Sequence, residues 1–199
     1  MRPLPLASRR KKSSAAPASI HVLRVELVGT QPSIWREVHV PSSFTLGQLH
    51  DVIQAAIGWE NSHLHMFEDK KRRHYGPPSD DDFEQDMLDE TDYTVTDLGS
   101  RKGSAFGYIY DFGDDWVHRI TVKAIQPPEP GRRYPACVAG ARAGPPEDSG
   151  GAYGYQDKLK ALSNRKHPDR EEILEWLGGS FDPEAFDLKA ADRAVRSVR

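Results

Sequence analysis

Hydrophobic and polar residues alternate along two short segments near the N-terminus. The alternation runs over residues 21–28 and, after turn residues that include Gly29 and Pro32, over residues 34–40. A period of two is typical of strands with one buried face, and glycine and proline between two such runs favour a turn. The pattern therefore predicts an N-terminal β-hairpin, which Pro41 ends.

A stripe of apolar residues with helical spacing follows this hairpin. Its members recur every three or four positions and are Leu46, Leu49, Val52, Ile53 and Ile57. Thr45 can cap the first turn of a helix, and Gly58 can end it in a left-handed conformation. We predict a helix over residues 46–57 whose stripe packs on the hairpin.

The rest of the chain has strand patterns first and helix patterns last. The predicted elements are strands at 63–67, 105–110 and 116–125, an irregular glycine- and proline-rich stretch at 126–154, and helices at 155–163, 170–177 and 183–195. Strands followed by segregated helices are typical of the α+β class. We predict a mainly antiparallel sheet with an N-terminal β-hairpin and helix, and a helical C-terminal part.

Charge divides the chain into a basic tail and an acidic body. Residues 1–19 carry five basic residues and no acid, so the net charge of −3 for the whole chain leaves −8 for the remainder. We predict a disordered tail over 1–19 and a single domain over 20–199. Since an acidic body repels phosphate, nucleic acid is expected to bind only weakly, through Arg9, Arg10, Lys11 and Lys12. The acidic run at 79–92 predicts an exposed loop.

Composition also excludes several protein classes. No run of about 18 apolar residues is present, so a membrane span is not expected. The N-terminus lacks the apolar segment of a secretory signal, and Cys137 is the single cysteine, so no intrachain disulfide can form. These features favour a cytoplasmic protein.

The segment YIYDFGDDWVHRI, at 108–120, joins two strand patterns through turn residues. Gly113 tolerates a positive φ and aspartates favour turns, so a hairpin turn is predicted at Phe112–Asp115. Asp-Phe-Gly also occurs in protein kinases, but the glycine-rich loop, the strand lysine and the His-Arg-Asp loop of that class are missing. The aromatic residues of the two strands are expected to be buried.

A polar cleft is expected beside this hairpin. His118 shares a strand face with Trp116, and a partly buried imidazole needs a hydrogen-bond partner, for which Asp111 and Glu147 are candidates. The acids at 147 and 148, in a glycine-flanked loop, can cap a helix, bind a cation or act as acid and base. The candidate ligand-binding group is Asp111, Asp114, His118, Glu147 and Asp148.

Metal-ligating residue types occur at a second place. His63 and His65 are two residues apart, so on a strand they would share a face and could bind one metal, with Cys137 as a further candidate ligand. The alternative is that both histidines are ordinary polar residues. Cys137 could also act as a nucleophile with His118 as its base, although a lone cysteine is more often a small buried residue.

Six segments together resemble the plasmid pRiA4b open-reading-frame-three-like family. They are YIYDFGDDWVHRI, LRVELVGTQPSIWREVHVP (23–41), TLGQLHDVIQAAIGW (45–59), HLHMF (63–67), RYPACVAGARAGPPEDSGGAYGY (133–155) and FDPEAFD (181–187). The resemblance covers about 20–190 and implies an α+β fold and an association with mobile elements. Many members have a cysteine where this chain has Ser149, so a zinc site on a thiolate pair with Cys137 is in doubt here.

Some members of that family are labelled resolvases, but the residues here do not support recombinase chemistry. A serine recombinase needs a nucleophilic serine among arginines that clamp the phosphate, and Ser42, Ser43 and Ser104 lack that setting. We therefore expect a non-enzymatic binding or adaptor domain for an unknown protein or small ligand. The alternative is a metal-dependent or acid/base hydrolase that uses the group Asp111, Asp114, His118, Glu147 and Asp148.

Overall fold

A computed structural model describes residues 19–78 and 87–198. The predicted tail up to residue 18, with Arg9, Arg10, Lys11 and Lys12, and residues 79–86 of the acidic run lie outside the described residues. No described helix is long and apolar enough to cross a membrane.

Eight strands form one sheet over the described residues, and five helices accompany it. The strands are β1 (Ile20–Leu27), β2 (Trp35–Pro41), β3 (His65–Glu68), β4 (His74–Gly76), β5 (Leu88–Asp89), β6 (Ala105–Tyr110), β7 (Trp116–Gln126) and β8 (Ala136–Ala141). The helices are α1 (Leu46–Ile57), α2 (Val95–Leu98), α3 (Gly151–Ser163), α4 (Arg170–Trp176) and α5 (Leu188–Ser197). The sheet order is β5-β4-β3-β6-β7-β1-β2-β8, antiparallel except between β4 and β5, which confirms the α+β prediction.

The predicted N-terminal hairpin and helix are confirmed. Strands β1 and β2 pair antiparallel, and α1 has the predicted bounds. Thr45 Oγ1 accepts a hydrogen bond from the Gln48 N–H (3.2 Å), while the Gln48 side chain accepts one from the Thr45 N–H (3.1 Å). Gly58 ends the helix at φ 99°. The apolar stripe of α1 is buried against the sheet and against α5.

Several of the predicted elements needed correction. The stretch 126–154, predicted to be irregular, contains β8 and the first residues of α3, and the last helix begins at Leu188 rather than at 183. Short elements β4, β5 and α2 were not predicted. The small residues of β8 have little intrinsic strand preference, and pairing with β2 determines their conformation.

The hairpin of β6 and β7 is confirmed. Tyr110 pairs with Trp116 across the last rung, and residues 111–115 form the turn. The inward face carries aromatic residues of both strands, and Tyr108, Tyr110 and Trp116 are almost completely buried.

His118 is fully buried, but its partner is not the predicted one. Its Nδ1–H donates to the Trp116 carbonyl at 2.8 Å, and its Nε2 has no hydrogen-bond partner among the described residues. The ring lies against Tyr108 and the Trp59 ring, because the register places it opposite Tyr108 and points it into the core. Burial lowers the pKa of His118 to about 4, so the imidazole is neutral at neutral pH.

Burial of neutral His118 predicts a loss of stability in mild acid. Above pH 6.5 the ring is neutral in both states, while below it the unfolded chain binds a proton that the folded chain excludes down to about pH 4. At pH 5 this group should therefore lower the free energy of unfolding by about 2 kcal/mol relative to pH 7.5. Urea unfolding of His118→Phe should show a smaller difference between the two pH values. The partly exposed His167→Gln should keep the full difference, and an unchanged difference in His118→Phe would contradict this account.

The packing of α1 predicts the effect of shortening Leu49, whose side chain is completely buried. Leu49→Ala should lower the free energy of unfolding by about 2–5 kcal/mol, because the surroundings fill the cavity only partly. Leu49→Met, which conserves volume, should cost less than about 1.5 kcal/mol. Equal effects in denaturant titrations would show that this face of α1 does not form the core.

Candidate functional site

The loop between α1 and β3 is fixed through its backbone by three side chains. The N–H of Glu60 donates to Glu147 Oε1 (2.9 Å) and that of Ser62 to the Tyr110 hydroxyl (3.0 Å). The Asn61 N–H donates to Gln54 Oε1 at 3.0 Å. Three consecutive donors in a loop are thus satisfied by α1, β6 and a distant loop, which holds the following residue, His63, in place.

A closed ring of hydrogen bonds supports this loop from the interior. His50 Nε2–H donates to Asn61 Oδ1 (2.8 Å), and His50 Nδ1 accepts from the Tyr108 hydroxyl (2.8 Å). The Tyr108 oxygen accepts from Gln54 Nε2 (3.0 Å), and Gln54 Oε1 accepts from the Asn61 N–H, which closes the ring. Burial lowers the pKa of His50 to about 3, so its imidazole is neutral in this ring of hydrogen bonds.

The hairpin turn presents Asp111 in a defined orientation. Asp111 has a φ of 57°, and its Oδ1 accepts from the N–H groups of Gly113 (2.9 Å) and Asp114 (3.3 Å). Its own N–H donates to the Leu64 carbonyl at 2.8 Å, which joins the turn to the loop before β3. The side chain is 10% exposed, and Oδ2 accepts no hydrogen bond from the described residues. Asp111 Oδ1 therefore stabilises the turn, whereas Oδ2 has no hydrogen-bond donor among the described residues.

The proline-rich loop at 144–150 lies against this hairpin. Trp59 Nε1–H donates to the Pro145 carbonyl (2.8 Å), and the Gly150 N–H donates to Asp114 Oδ2 (2.9 Å). The Tyr110 hydroxyl donates to Glu147 Oε1 at 3.0 Å. These bonds bring Glu147 and Asp148 next to the turn.

The carboxylates from the two segments converge on His63. Its Nε2 lies 3.3 Å from Asp148 Oδ1, 3.7 Å from Asp111 Oδ2 and 3.9 Å from Glu147 Oε2. One potential ligand atom from each of His63, Asp111 and Asp148 lies within 4.8 Å of the other two. Within the described parts of the chain, this is the one group of three or more such residues close enough to hold a metal ion.

Glu147 has one oxygen engaged and one free. Oε1 accepts from the Glu60 N–H and the Tyr110 hydroxyl, whereas Oε2 is buried and has no hydrogen-bond partner among the described residues. Burial, followed by the hydrogen bond to Glu147, raises the pKa of Tyr110 to about 12, so its hydroxyl remains a donor. Leaving a carboxylate oxygen buried without a donor is costly, and a cation at this point would remove that cost.

The structure brings together some residues of the predicted cleft and places His118 elsewhere. Asp111, Glu147 and Asp148 come together, and Asp114 contributes by tying the loop to the turn. His118 forms no hydrogen bond or ion pair with these carboxylates, since its ring lies in the core, two rungs from the Tyr110–Trp116 pair that closes the hairpin.

The proposed pair of His63 and His65 is separated because β3 begins at His65. His65 is buried under α1, where it stacks on His50 with ring centres 3.4 Å apart and donates to Glu90 at 2.8 Å. His63 precedes the strand and faces the carboxylates instead. No local pattern identifies His63 as the centre of the group, because its partners come from turns far along the chain.

Cys137 lies in a different part of the sheet. Two strands, β1 and β2, separate its strand β8 from β7, so His118 is roughly 14 Å away and cannot serve as its base. Burial raises the pKa of the thiol to about 11, which is the opposite of what a nucleophile needs. Ser149, at the position where a thiolate pair was considered, donates to the Pro146 carbonyl at 2.5 Å.

The hydroxyl of Tyr110 predicts a measurable contribution to stability. Tyr110→Phe removes the donor to Glu147 and the acceptor of the Ser62 N–H, so the free energy of unfolding should fall by about 1–3 kcal/mol. Tyr153, whose side chain is 90% exposed, supplies the control, and Tyr153→Phe should change it by less than about 0.5 kcal/mol. Equal losses in urea titrations would show that the hydroxyl does not connect the loops.

Comparisons with known proteins agree with the fold and supply no activity. The model of the family described as "Plasmid pRiA4b ORF-3-like protein" matches residues 19–190. "Uncharacterized protein y4hQ" from Sinorhizobium fredii (strain NBRC 101917 / NGR234) is 36% identical over 183 residues, which are 89% of this chain and 91% of that protein. A crystal structure of the protein of unknown function MM3350 from Methanosarcina mazei Go1 has a TM-score of 0.79 and 36% identity, and covers 87% of this chain and 98% of the other. This chain therefore belongs to the plasmid pRiA4b ORF-3-like family.

Proposed function

We propose that this chain is a divalent-metal-binding domain, with His63, Asp111 and Asp148 as the ligands. The observation that carries the proposal is the convergence of an imidazole nitrogen and carboxylate oxygens from three separate segments. The proposal gives the binding domain expected from the sequence a class of ligand, a divalent metal ion. The proposed metal ligands include His63, and they do not include His118 or Asp114 of the ligand-binding group expected from the sequence.

The charge of the group supports a cation. Three carboxylates surround one imidazole, and no Lys or Arg of the described residues forms an ion pair with any of them. Carboxylates at such distances repel each other unless a positive charge lies between them. The free oxygens of Asp111 and Glu147 both face this space, in which they lack a hydrogen-bond donor.

The donor set favours transition metals over the harder cations. A mixed set of one imidazole nitrogen and carboxylate oxygens suits Zn²⁺, Mn²⁺ or Fe²⁺. Ca²⁺ and Mg²⁺ prefer oxygen ligands alone, and Ca²⁺ needs six to eight of them. We therefore expect Zn²⁺ or Mn²⁺ to bind more tightly than Mg²⁺ or Ca²⁺.

Calorimetric titration of the chelator-treated full chain tests the proposal. One equivalent of Zn²⁺ or Mn²⁺ should bind, and the metal should raise the melting temperature, because it links three loops only in the folded state. Asp111→Asn should weaken binding by at least about tenfold. Asparagine tolerates the positive φ and keeps the Oδ1 hydrogen bonds of the turn, so the variant removes charge without removing the turn. His63→Ala should abolish binding.

Asp115→Asn is the matched control. Asp115 belongs to the same turn, has a φ of 53° and is exposed, and its carboxylate takes part in no ion pair among the described residues. This variant should bind metal as the unaltered chain does. Absence of saturable binding, or binding by His63→Ala and Asp111→Asn that equals binding by the unaltered chain, would refute the metal site.

A further inference from the structure

Glu147 lies beside the three proposed ligands without belonging to their group. Its Oε2 is 3.9 Å from His63 Nε2, and it is buried and has no hydrogen-bond partner among the described residues. Its Oε1 is fixed by two donors, the Tyr110 hydroxyl and the Glu60 N–H. The carboxylate is therefore held in one orientation with a single oxygen directed at the metal position.

The three-ligand group leaves room for further ligands. Protein sites that use three side chains characteristically retain a position for water or substrate, whereas closed four-ligand sites are structural. His63 is 29% exposed and Asp148 is 73% exposed, so one side of the group opens to solvent. Water can reach a metal from this side, and Glu147 lies on the buried side.

We infer that this site activates a water molecule for hydrolysis of a neutral or cationic carbonyl compound, an ester or an amide, with Glu147 as the proton acceptor. The inference rests on the metal site proposed above. A divalent metal held by His63, Asp111 and Asp148 would lower the pKa of a bound water, and Glu147 Oε2 would take the proton that is released. The resulting hydroxide would add to the carbonyl carbon, so that a C–O bond forms while the π pair of the C=O bond moves onto its oxygen; the C=O bond re-forms when the leaving group departs.

The second half of the reaction returns the proton. The bond from the carbonyl carbon to the leaving oxygen or nitrogen breaks, and Glu147 gives its proton to that leaving group. The products are a carboxylic acid and an alcohol or amine, and the sum consumes one water molecule. No electron transfer and no other reactant are required.

The charge around the site determines the substrate class. With three carboxylates against one divalent cation, the loaded site keeps a net negative charge, and no Lys or Arg of the described chain is paired with those carboxylates. Phosphoryl transfer needs cationic groups that stabilise the charge on the phosphate oxygens. A phosphodiester is therefore repelled, while a neutral carbonyl or a cationic amine is accepted.

Exposed apolar side chains border the ligands. Leu64 follows His63 in the chain and is 53% exposed, and Phe112 follows Asp111 and is 44% exposed. The Leu64 carbonyl accepts the Asp111 N–H, so the two segments that carry these side chains are adjacent. An ester or amide with an apolar substituent would contact them, which favours such substrates over purely polar ones.

Three chromogenic probes test the inference on the full chain loaded with Zn²⁺ or Mn²⁺. They are p-nitrophenyl acetate as a neutral ester, leucine p-nitroanilide as a cationic amide and bis(p-nitrophenyl) phosphate as an anionic diester. We expect hydrolysis of the ester or the anilide that is absent from the metal-free chain and from metal in buffer, and slower cleavage of the diester. Glu147→Gln should lower the turnover number by about 100-fold or more.

Metal binding measured on the same samples separates the possible failures. The amide oxygen that Glu147→Gln introduces can still accept from Tyr110 and Glu60, so metal should remain bound while the proton acceptor is lost. Bound metal without turnover of either carbonyl probe, preferential cleavage of the diester, or full activity of Glu147→Gln would each overturn the inference and leave the metal site standing. Failure to bind metal would overturn both.

Discussion

The hydroxyl of Tyr110 is the point at which three separate chain segments meet. It accepts the Ser62 N–H from the loop before β3 and donates to Glu147 in the loop after β8, while its ring belongs to the buried face of β6. A buried hydroxyl needs partners, and these two are available only when both loops approach the end of the β6–β7 hairpin. The position of His63 and of the carboxylates therefore depends on this hydroxyl and on the stacked rings of Trp59 and Tyr110, which form an aromatic layer behind the loops.

That aromatic layer explains why the loops are ordered although they lack regular structure. The rings of Trp59 and Tyr110 stack with centroids 4.8 Å apart, and the Trp59 indole N–H binds the Pro145 carbonyl. Each ring buries a large apolar area while its polar atom reaches a loop backbone. The neutral side chains of Trp59 and Tyr110 thus help to fix the loop conformations, together with the Glu147 and Asp114 carboxylates at the end of the hairpin.

The sequence predicted those parts of the structure whose determinants are local. The α1 helix has its cap, its stripe and its terminal glycine within 14 residues (45–58), and the turn at 111–115 has its glycine and aspartates side by side. Strand β8 was not predictable in this way, and His63 was a candidate metal ligand from the sequence but its carboxylate neighbours were not predictable. The Glu60–Glu147 bond joins residues 87 positions apart, and no periodic pattern encodes such a contact.

The prediction for His118 failed for a related reason. The alternation correctly predicted a buried ring, but His118 lies two rungs from the Tyr110–Trp116 pair at the end of the hairpin, and its Nδ1–H donates to the Trp116 carbonyl rather than to a carboxylate. An imidazole surrounded by aromatic rings is kept neutral and serves packing. His63 lies outside the regular strand, where backbone bonds orient the loop and solvent reaches the ring. His118 contacts the Trp59 ring and is a structural residue, whereas His63 contacts the Tyr110 ring and is a candidate ligand. Strand register determines the position of His118, and the hydrogen bonds of the loop determine that of His63.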